Sequence, residues 1–384
     1  MMCCNIILGR VDTTLISHRT DGRLESTYAI LHQLLKETHP RWEYHEGMSK
    51  REFKKWQKGV QKGMMEIMKW PSIDSSQPQP RMVSTETKEN YIQEIWECYP
   101  MKGVVCTFLV LRPLRQVGKV PALLCIPGSG QTMRDLTRGM ALDYVREGWV
   151  AVCVDNAAAG DQADQENHFP DSWDYDYELS SRLLLELGWN WLGYTSFLDY
   201  KVLQWMKTAA DIDPTKIVVS GFSLGTEPMM VLGIMDKDIY AFVYNDFLCN
   251  PQERAICMTA LNERGRRSFP NSIRHLIPDY WHQFNFPDVC CALAPRPIIF
   301  TEGGLDRDFD KVRSAYRTAG AEGNATCYHY ARFSQPESRS RLDSLPEGLT
   351  MEQYLPMVNV DAGHHYFKRD LILPWLRKLL KTNG

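Results

Sequence analysis

No C-x-x-C pair, H-E-x-x-H motif, P-loop or post-strand G-x-G-x-x-G occurs anywhere in this chain. Without those ligand sets and phosphate cradles, a zinc centre, a nucleotide site and a dinucleotide site have no signpost, so neither metal nor cofactor is expected. An excess of one charge is also missing: 44 Lys and Arg face 47 Asp and Glu, a formal net charge of -3. Nothing therefore draws the chain to nucleic acid or to an anionic membrane surface. No apolar run is long enough to span a bilayer, and no repeat or low-complexity tract marks a solenoid or propeller. The opening stretch, Met1-Met2-Cys3-Cys4-Asn5-Ile6-Ile7-Leu8, has neither a basic n-region nor a full-length apolar core. As it stands the chain is expected in the cytoplasm; a mis-called start codon would make it periplasmic or secreted instead.

What is present is ordinary for a globular protein. With 44% hydrophobic and 24% charged residues, a chain of 384 residues can bury one large α/β core or two smaller ones. The cysteine count is 11, an odd number, and Cys3-Cys4 and Cys290-Cys291 are adjacent pairs that a normal disulfide does not join. Cys106, Cys125 and Cys153 lie in apolar runs and read as small buried hydrophobes. Free thiols and a reducing compartment follow. The 11 Trp, 17 Tyr and 14 Phe suit surfaces that stack on sugars, although most must be core. No signal bears on oligomeric state.

The most informative stretch is Gly221-Phe222-Ser223-Leu224-Gly225. Before it, Lys216-Ile217-Val218-Val219-Ser220 is a β-branched run after a turn-forming Asp213-Pro214; after it, Thr226-Glu227-Pro228-Met229-Met230 opens a helix with proline in its first turn. Strand, G-x-S-x-G and helix together make a nucleophile elbow, with the serine in a strained turn and glycines where a side chain would collide.

A serine alkoxide at neutral pH needs a base, and the base needs an orienting acid. For the acid, the strand 297–301 leads into Glu302-Gly303-Gly304-Leu305-Asp306-Arg307-Asp308, and Asp306 after the Gly-Gly-Leu turn is the first choice. Asp308 reads as the N-cap of the helix that follows, and Glu302 as a supporting group outside the triad. Asp246, ending the preceding strand, is the substitute acid. For the base, the loop Val360-Asp361-Ala362-Gly363-His364-His365-Tyr366-Phe367 offers His365, with an aromatic two positions later, or His364, with its preceding glycine. One oxyanion donor is the Leu224 amide, and the other is the amide of Ser129 or Gly130 in Ile126-Pro127-Gly128-Ser129-Gly130-Gln131.

Around these motifs, residues 24–70 read as two helices, the second opened by a Ser49…Glu52 capping box, and 71–80 as a linker. Strands are expected at 92–99, 104–111, 121–126, 149–154, 240–244, 297–301 and 326–330 besides the elbow strand. Helices are expected at 136–147, 178–187, 196–210 and 370–380. The first two strands form an antiparallel lead into the sheet, and the alternation after residue 121 means a mostly parallel sheet covered on both faces. Residues 250–285, polar, aromatic and rich in arginine, are placed above the strand ends as a cap.

From residue 121 onward these features resemble the α/β-hydrolase superfamily, and within it the bacterial acetyl xylan esterase-like carbohydrate esterases and their glucuronoyl esterase relatives. The resemblance rests on Cys125 to Gly130, Val154-Asp155-Asn156-Ala157-Ala158-Ala159-Gly160, Ser220 to Gly225, Glu302 to Asp308 with Tyr316, and His365 with Pro374-Trp375-Leu376. The helical N-terminal extension is similar to that of gut-bacterial members linked to glycan use. Glucuronoyl esterases carry Arg directly after the nucleophile; Leu224 stands there here, which argues against glucuronoyl ester cleavage.

The resemblance implies an α/β-hydrolase fold, with residues 1–80 as helical extension and linker and 81–384 as catalytic domain. It also implies a serine esterase that deacetylates acylated carbohydrate, its partner a small-molecule or oligosaccharide ester. A prolyl-oligopeptidase-type peptidase is the competing enzyme, although no β-propeller precedes residue 121. A non-catalytic glycan-binding protein on the same fold is the competing non-enzyme.

Overall fold

The computed structural model describes residues 19–72, 76–163, 173–269 and 272–381. The Cys3-Cys4 pair and the opening stretch lie outside the described residues. Two helices come first, as the sequence predicts. Helix α1 (Thr27–Glu37) starts at Ser26, whose side chain accepts from the Ala29 amide, and α2 (Lys50–Met68) starts at the expected Ser49/Glu52 capping box. The α2 stripe of Phe53, Trp56, Val60, Met64, Ile67 and Met68 is buried, so the Trp and Met spacing marks a packing face.

Strand β1 (Arg81–Thr87) escaped the sequence reading because all of its residues are exposed, so no apolar alternation betrays it. It pairs antiparallel with β2 (Tyr91–Cys98), and β2 with β3 (Cys106–Pro113). After β4 (Val120–Ile126), two short helices, α3 (Met133–Leu136) and α4 (Met140–Arg146), replace the single one expected, the break falling at the non-helical Gly139. Then follow β5 (Val150–Val154), α5 (Trp173–Glu186), α6 (Trp191–Thr208), β6 (Ile212–Phe222), α7 (Thr226–Met235) and β7 (Ala241–Asn245). Helix α6 begins earlier than predicted because the Asn190 side chain caps it, accepting from the Gly193 amide at 2.7 Å.

The cap region contains α8 (Pro251–Thr259) and α9 (Tyr280–Gln283), with α10 (Phe286–Ala292) leading to β8 (Ile298–Phe300). The chain closes with α11 (Asp306–Ala319), β9 (Ala325–Cys327), α12 (Met351–Met357) and α13 (Arg369–Leu379).

The strands form one sheet in the order β1-β2-β3-β5-β4-β6-β7-β8-β9. It is antiparallel from β1 through the β3–β5 pair and parallel from β5 to β9. Period-2 alternation divides its side chains between two cores. Phe108, Leu124, Val152, Val219, Phe242 and Phe300 face a core shared with α2, α6, α7 and α10. Leu109, Leu123, Cys153, Val218, Val243 and Ile299 face a second core under α4 and α13. Both faces are therefore covered, which is why the central strands read as unbroken apolar runs. The nine described cysteines are free thiols, and no described helix is long and apolar enough to cross a membrane.

Because α2 lies in the same core as the sheet, truncating its central anchor acts on the whole fold. Trp56, 6% exposed, packs on Phe53 and Tyr44, and its indole N–H donates to the Trp42 carbonyl. Trp56→Ala is expected to cost about 3–5 kcal/mol, measured by urea unfolding followed by far-UV circular dichroism. A loss below about 1 kcal/mol would mean the N-terminal helices are not part of the core.

Candidate active site

The elbow forms where the sequence places it. Strand β6 ends at Phe222, Ser223 sits at φ 51° in the left-handed region, and a single 3-10 turn (Ser223–Gly225) leads into α7. A non-glycine residue held there is strained, and the crowding explains how it is held. A Cβ on Gly221 would lie 2.4 Å from the Gly225 carbonyl oxygen, and one on Gly225 would lie 2.4 Å from that of Ile126. Strand, turn and neighbouring strand touch backbone to backbone, leaving the serine side chain to point outward. The Thr226 hydroxyl fastens the turn by donating to the Ser223 carbonyl at 2.8 Å.

The loop after β4 lies against the nucleophile: a Cβ on Gly128 would be 3.1 Å from that of Ser223. Its shape is pinned from several sides. The Gly128 amide donates to Gln131 Oε1 at 3.1 Å, and Asn156 Nδ2 donates to the Pro127 carbonyl at 2.9 Å. Asp155 accepts from the Met133 amide at 2.6 Å and the Asp161 amide at 2.9 Å. The Asp155-Asn156 pair at the end of β5 therefore acts on this loop. Gln131 occupies the Gly128 amide, and the Gly130 amide is directed at the Tyr177 hydroxyl; Ser129 and Gly130 are the two donors the sequence offers to join the Leu224 amide.

The residues proposed as base and acid are placed as expected in all but one respect. His365 is where the sequence puts it, stacked on Phe222 with ring centroids 4.9 Å apart and 19° between planes. The group on its Nδ1, however, is Glu302, through a short hydrogen bond to Oε2. Asp306 is not at His365. It is the first residue of α11, where Oδ1 meets His329 Nε2 at 3.2 Å and Arg339 Nη1 at 3.1 Å. The reason lies in the two glycines between. Gly303 and Gly304 have φ of 81° and 144°, and a Cβ on Gly304 would come 2.4 Å from the Leu248 carbonyl oxygen. The turn presses the loop after β8 onto the loop after β7 and carries Asp306 away from His365. Asp308, expected as the N-cap, sits inside the first turn of α11, which is capped at Leu305.

Glu302 is fully buried, yet its carboxylate is saturated. Besides His365 it accepts from the Tyr330 hydroxyl at 2.8 Å, from the Tyr366 amide at 3.2 Å, and pairs with Lys368 Nζ at 2.9 Å. Burial pushes its pKa up, but the bonds to His365 and Lys368 outweigh that and hold it below the usual carboxylate value. For His365 burial works downward, and the bond to Glu302 with the field of Asp246 more than reverses it, leaving the imidazole pKa raised.

Asp246, just past the end of β7, joins the group: ligand-type atoms of Asp246, Glu302 and His365 lie within 4.8 Å of one another. Burial pushes Asp246 up to about 7, His365 opposing and Glu302 adding to the shift. The grouping has metal-ligand chemistry, but the ammonium of Lys368 already supplies its positive charge. His364 turns outward to Asp361 Oδ2 at 2.8 Å.

Ser223, Leu224, Ser129, Asp246 and His365 line one cavity of about 1310 Å³. The cap segment forms much of its wall, through Arg254, Arg274, His275, Tyr280 and Trp281. Arg274 donates to Ser129 Oγ at 3.0 Å and lies 4.9 Å from the Tyr177 ring centroid, joining the cap to the loop after β4. His275 Nδ1 meets Glu227 Oε1, in the first turn of α7, at 2.7 Å. Not every cap arginine faces inward: Arg267 donates to the Thr259 carbonyl at 2.6 Å and covers Tyr28, while Arg264 and Arg266 are exposed. Sequence reasoning misses Glu302 as the partner of His365, and the signal available was adjacency: it follows β8 by two residues, whereas Asp306 lies beyond a glycine turn.

Comparison with known proteins agrees with this fold. The solved structure of a protein provisionally named an acetyl xylan esterase, from Bacteroides fragilis, is 53% identical, covers 97% of this chain and 99% of its own, and superposes with a TM-score of 0.92. A solved methylesterase shares the fold at 15% identity and TM-score 0.55, over 80% of this chain and 65% of its own. No curated protein matches the sequence. The model of the Abhydrolase family matches residues 10–378. With strand, elbow and two-faced sheet in place, the chain belongs to that family, the α/β-hydrolases.

Proposed function

We propose that this protein is a serine esterase that removes short acyl groups, acetyl foremost, from acylated carbohydrate. The observation that carries the reading is the buried Glu302 bonded to His365 Nδ1, beside the cavity that also holds the elbow serine. With Nδ1–H donated to Glu302, the neutral imidazole offers Nε2 to the Ser223 hydroxyl. It takes the serine proton as Oγ attacks the ester carbonyl. The oxyanion faces the Leu224 amide, at the positive end of the turn entering α7, and the amide of Ser129 or Gly130.

The imidazolium then protonates the departing sugar hydroxyl, leaving an acyl-serine, and a water repeats the sequence to release the acid. Glu302 stays anionic because Lys368, Tyr330 and the Tyr366 amide stabilise its charge, so it orients the imidazole without taking its proton. Asp246 contributes a second carboxylate near the imidazolium. The carbohydrate part of the reading is supported by the Tyr, Trp and Arg residues of the cavity wall and by the 53% identical protein's name.

Ser223→Ala is expected to lower kcat on p-nitrophenyl acetate by roughly 10⁴–10⁶ with folding intact; a variant keeping a tenth of the activity would remove the elbow from the mechanism. A fluorophosphonate probe should label the wild type and not this variant.

Glu302→Gln should lower kcat by on the order of 10⁴, and Asp306→Asn by no more than roughly 3-fold, since ion-pair loss at that distance acts on stability. The opposite ranking would return the acid role to Asp306. In the wild type, kcat/KM should rise with pH as His365 loses its proton, along a limb above the ordinary imidazole value. Residual activity of Glu302→Gln should follow a limb displaced to lower pH, because the charge that favoured the imidazolium is gone.

Acetyl esters should be cleaved much faster than octanoyl esters, compared as kcat/KM on the p-nitrophenyl series. Preference for octanoyl would leave only a generic serine hydrolase, and faster cleavage of an aminoacyl p-nitroanilide would favour the competing peptidase.

A further inference from the structure

The arginines and imidazoles of the cavity wall nearly all have partners. Arg182 Nη2 meets Glu178 Oε2 at 3.2 Å, His275 meets Glu227 at 2.7 Å, and His282 meets Asp279 at 3.1 Å. Arg274 is spent on Ser129 and Tyr177. Arg254 differs. It sits in the first half of α8, at the wall that includes Asp246 and Cys249, and forms no ion pair among the described residues. Its polar contact is the thioether of Met351, Nη2 to Sδ at 3.4 Å, and its guanidinium lies 5.4 Å from the centroid of the Tyr354 ring. Its Nε is buried without a hydrogen-bond partner.

Neither sulfur nor ring neutralises a guanidinium, and an unmet donor removed from water is costly. A position near the N-terminal end of α8 adds to the cost, because that end already carries positive potential. The neighbouring Glu253, which could have served, is committed to Arg307. Tyr354 and Met351 hold the fork in place without satisfying it. A forked donor fixed in a substrate cavity and left without an anion matches the geometry of a bidentate acceptor.

We propose that Arg254 binds an anionic substituent of the substrate, a carboxylate or a sulfate, so that the preferred substrate is an ester of an acidic sugar. This rests on the esterase reading above and specifies its substrate. The anion is apart from the scissile ester: the ester goes to Ser223, and the charged group to Arg254.

The test compares three acetylated oligosaccharides of equal length, one neutral, one built on a uronic acid and one sulfated, with p-nitrophenyl acetate as reference. If p-nitrophenyl acetate and all three sugars are untouched, the esterase reading fails, whatever Arg254 does. If they are cleaved, the wild type should favour at least one acidic sugar over the neutral one in kcat/KM by roughly 10–100-fold, mainly through KM. The better acidic substrate shows whether carboxylate or sulfate is meant. In Arg254→Gln the acidic-to-neutral ratio should fall by roughly 10-fold or more, and in Arg254→Lys by less, since the charge stays while the fork is lost. Raising ionic strength should shrink the wild-type ratio, a readout that needs no variant. Equal rates on acidic and neutral sugars by the wild type, or an unchanged ratio in Arg254→Gln, would overturn the assignment.

Discussion

Everything at this site depends on a carboxylate that has been taken out of water and then fully paid for in hydrogen bonds. Glu302 is buried at the C-terminal end of a parallel strand, where an isolated charge would neutralise itself or unfold its surroundings. It is kept ionised by a lysine, a tyrosine hydroxyl, a backbone amide and the imidazole it orients. Three of those partners, His365, Tyr366 and Lys368, come from one short segment, so the carboxylate also anchors the loop that carries the imidazole. Asn245 binds the same segment from the next strand, accepting from the Lys368 amide at 2.8 Å. A change at Glu302 therefore acts at once on the charge of the imidazole and on the position of its loop.

The elbow serine is fixed by a different force, backbone crowding. The close approach of Gly221, Gly225 and the Ile126–Pro127 carbonyls leaves Ser223 one place to go, at a positive φ that nothing local would favour. The loop after β4 is set by a third device, side chains of neighbouring segments that hold its backbone groups. Asp155 has its own pKa raised to about 6 by burial while it does so. Charge, sterics and hydrogen bonding thus each position one part, and the sheet puts all three at the same edge because its parallel strands end there. The cap completes the cavity from residues that have no period of their own, tied down by Arg274 on one side and His275 on the other.

Much of this was legible in the sequence, for reasons that can be named. The elbow is a local object: strand, glycines, serine and helix are contiguous, so spacing reports geometry directly. Buried parallel strands announce themselves as apolar β-branched runs, and the α2 helix announces itself through a capping box and a Trp/Met stripe. His365 was legible because it precedes the last helix, a place fixed by chain order. Strand β1 was not, because an exposed edge strand carries polar residues on both faces and owes its existence to pairing with β2.

The sequence by itself determined the fold class, the serine elbow and the segment that carries His365, since each follows from residues close together along the chain. Tertiary structure alone decided which acid meets His365. Glu302, Asp306 and Asp246 are all acids near strand ends, and only the glycine turn folded against Leu248 sends Asp306 to His329 and Arg339 while leaving Glu302 under the imidazole. It also decided which cap arginines face the cavity and which are matched. Among the described residues, hydrogen-bond partners lie up to 315 residues apart, as His32 and Glu347 do, and no spacing rule reaches that far.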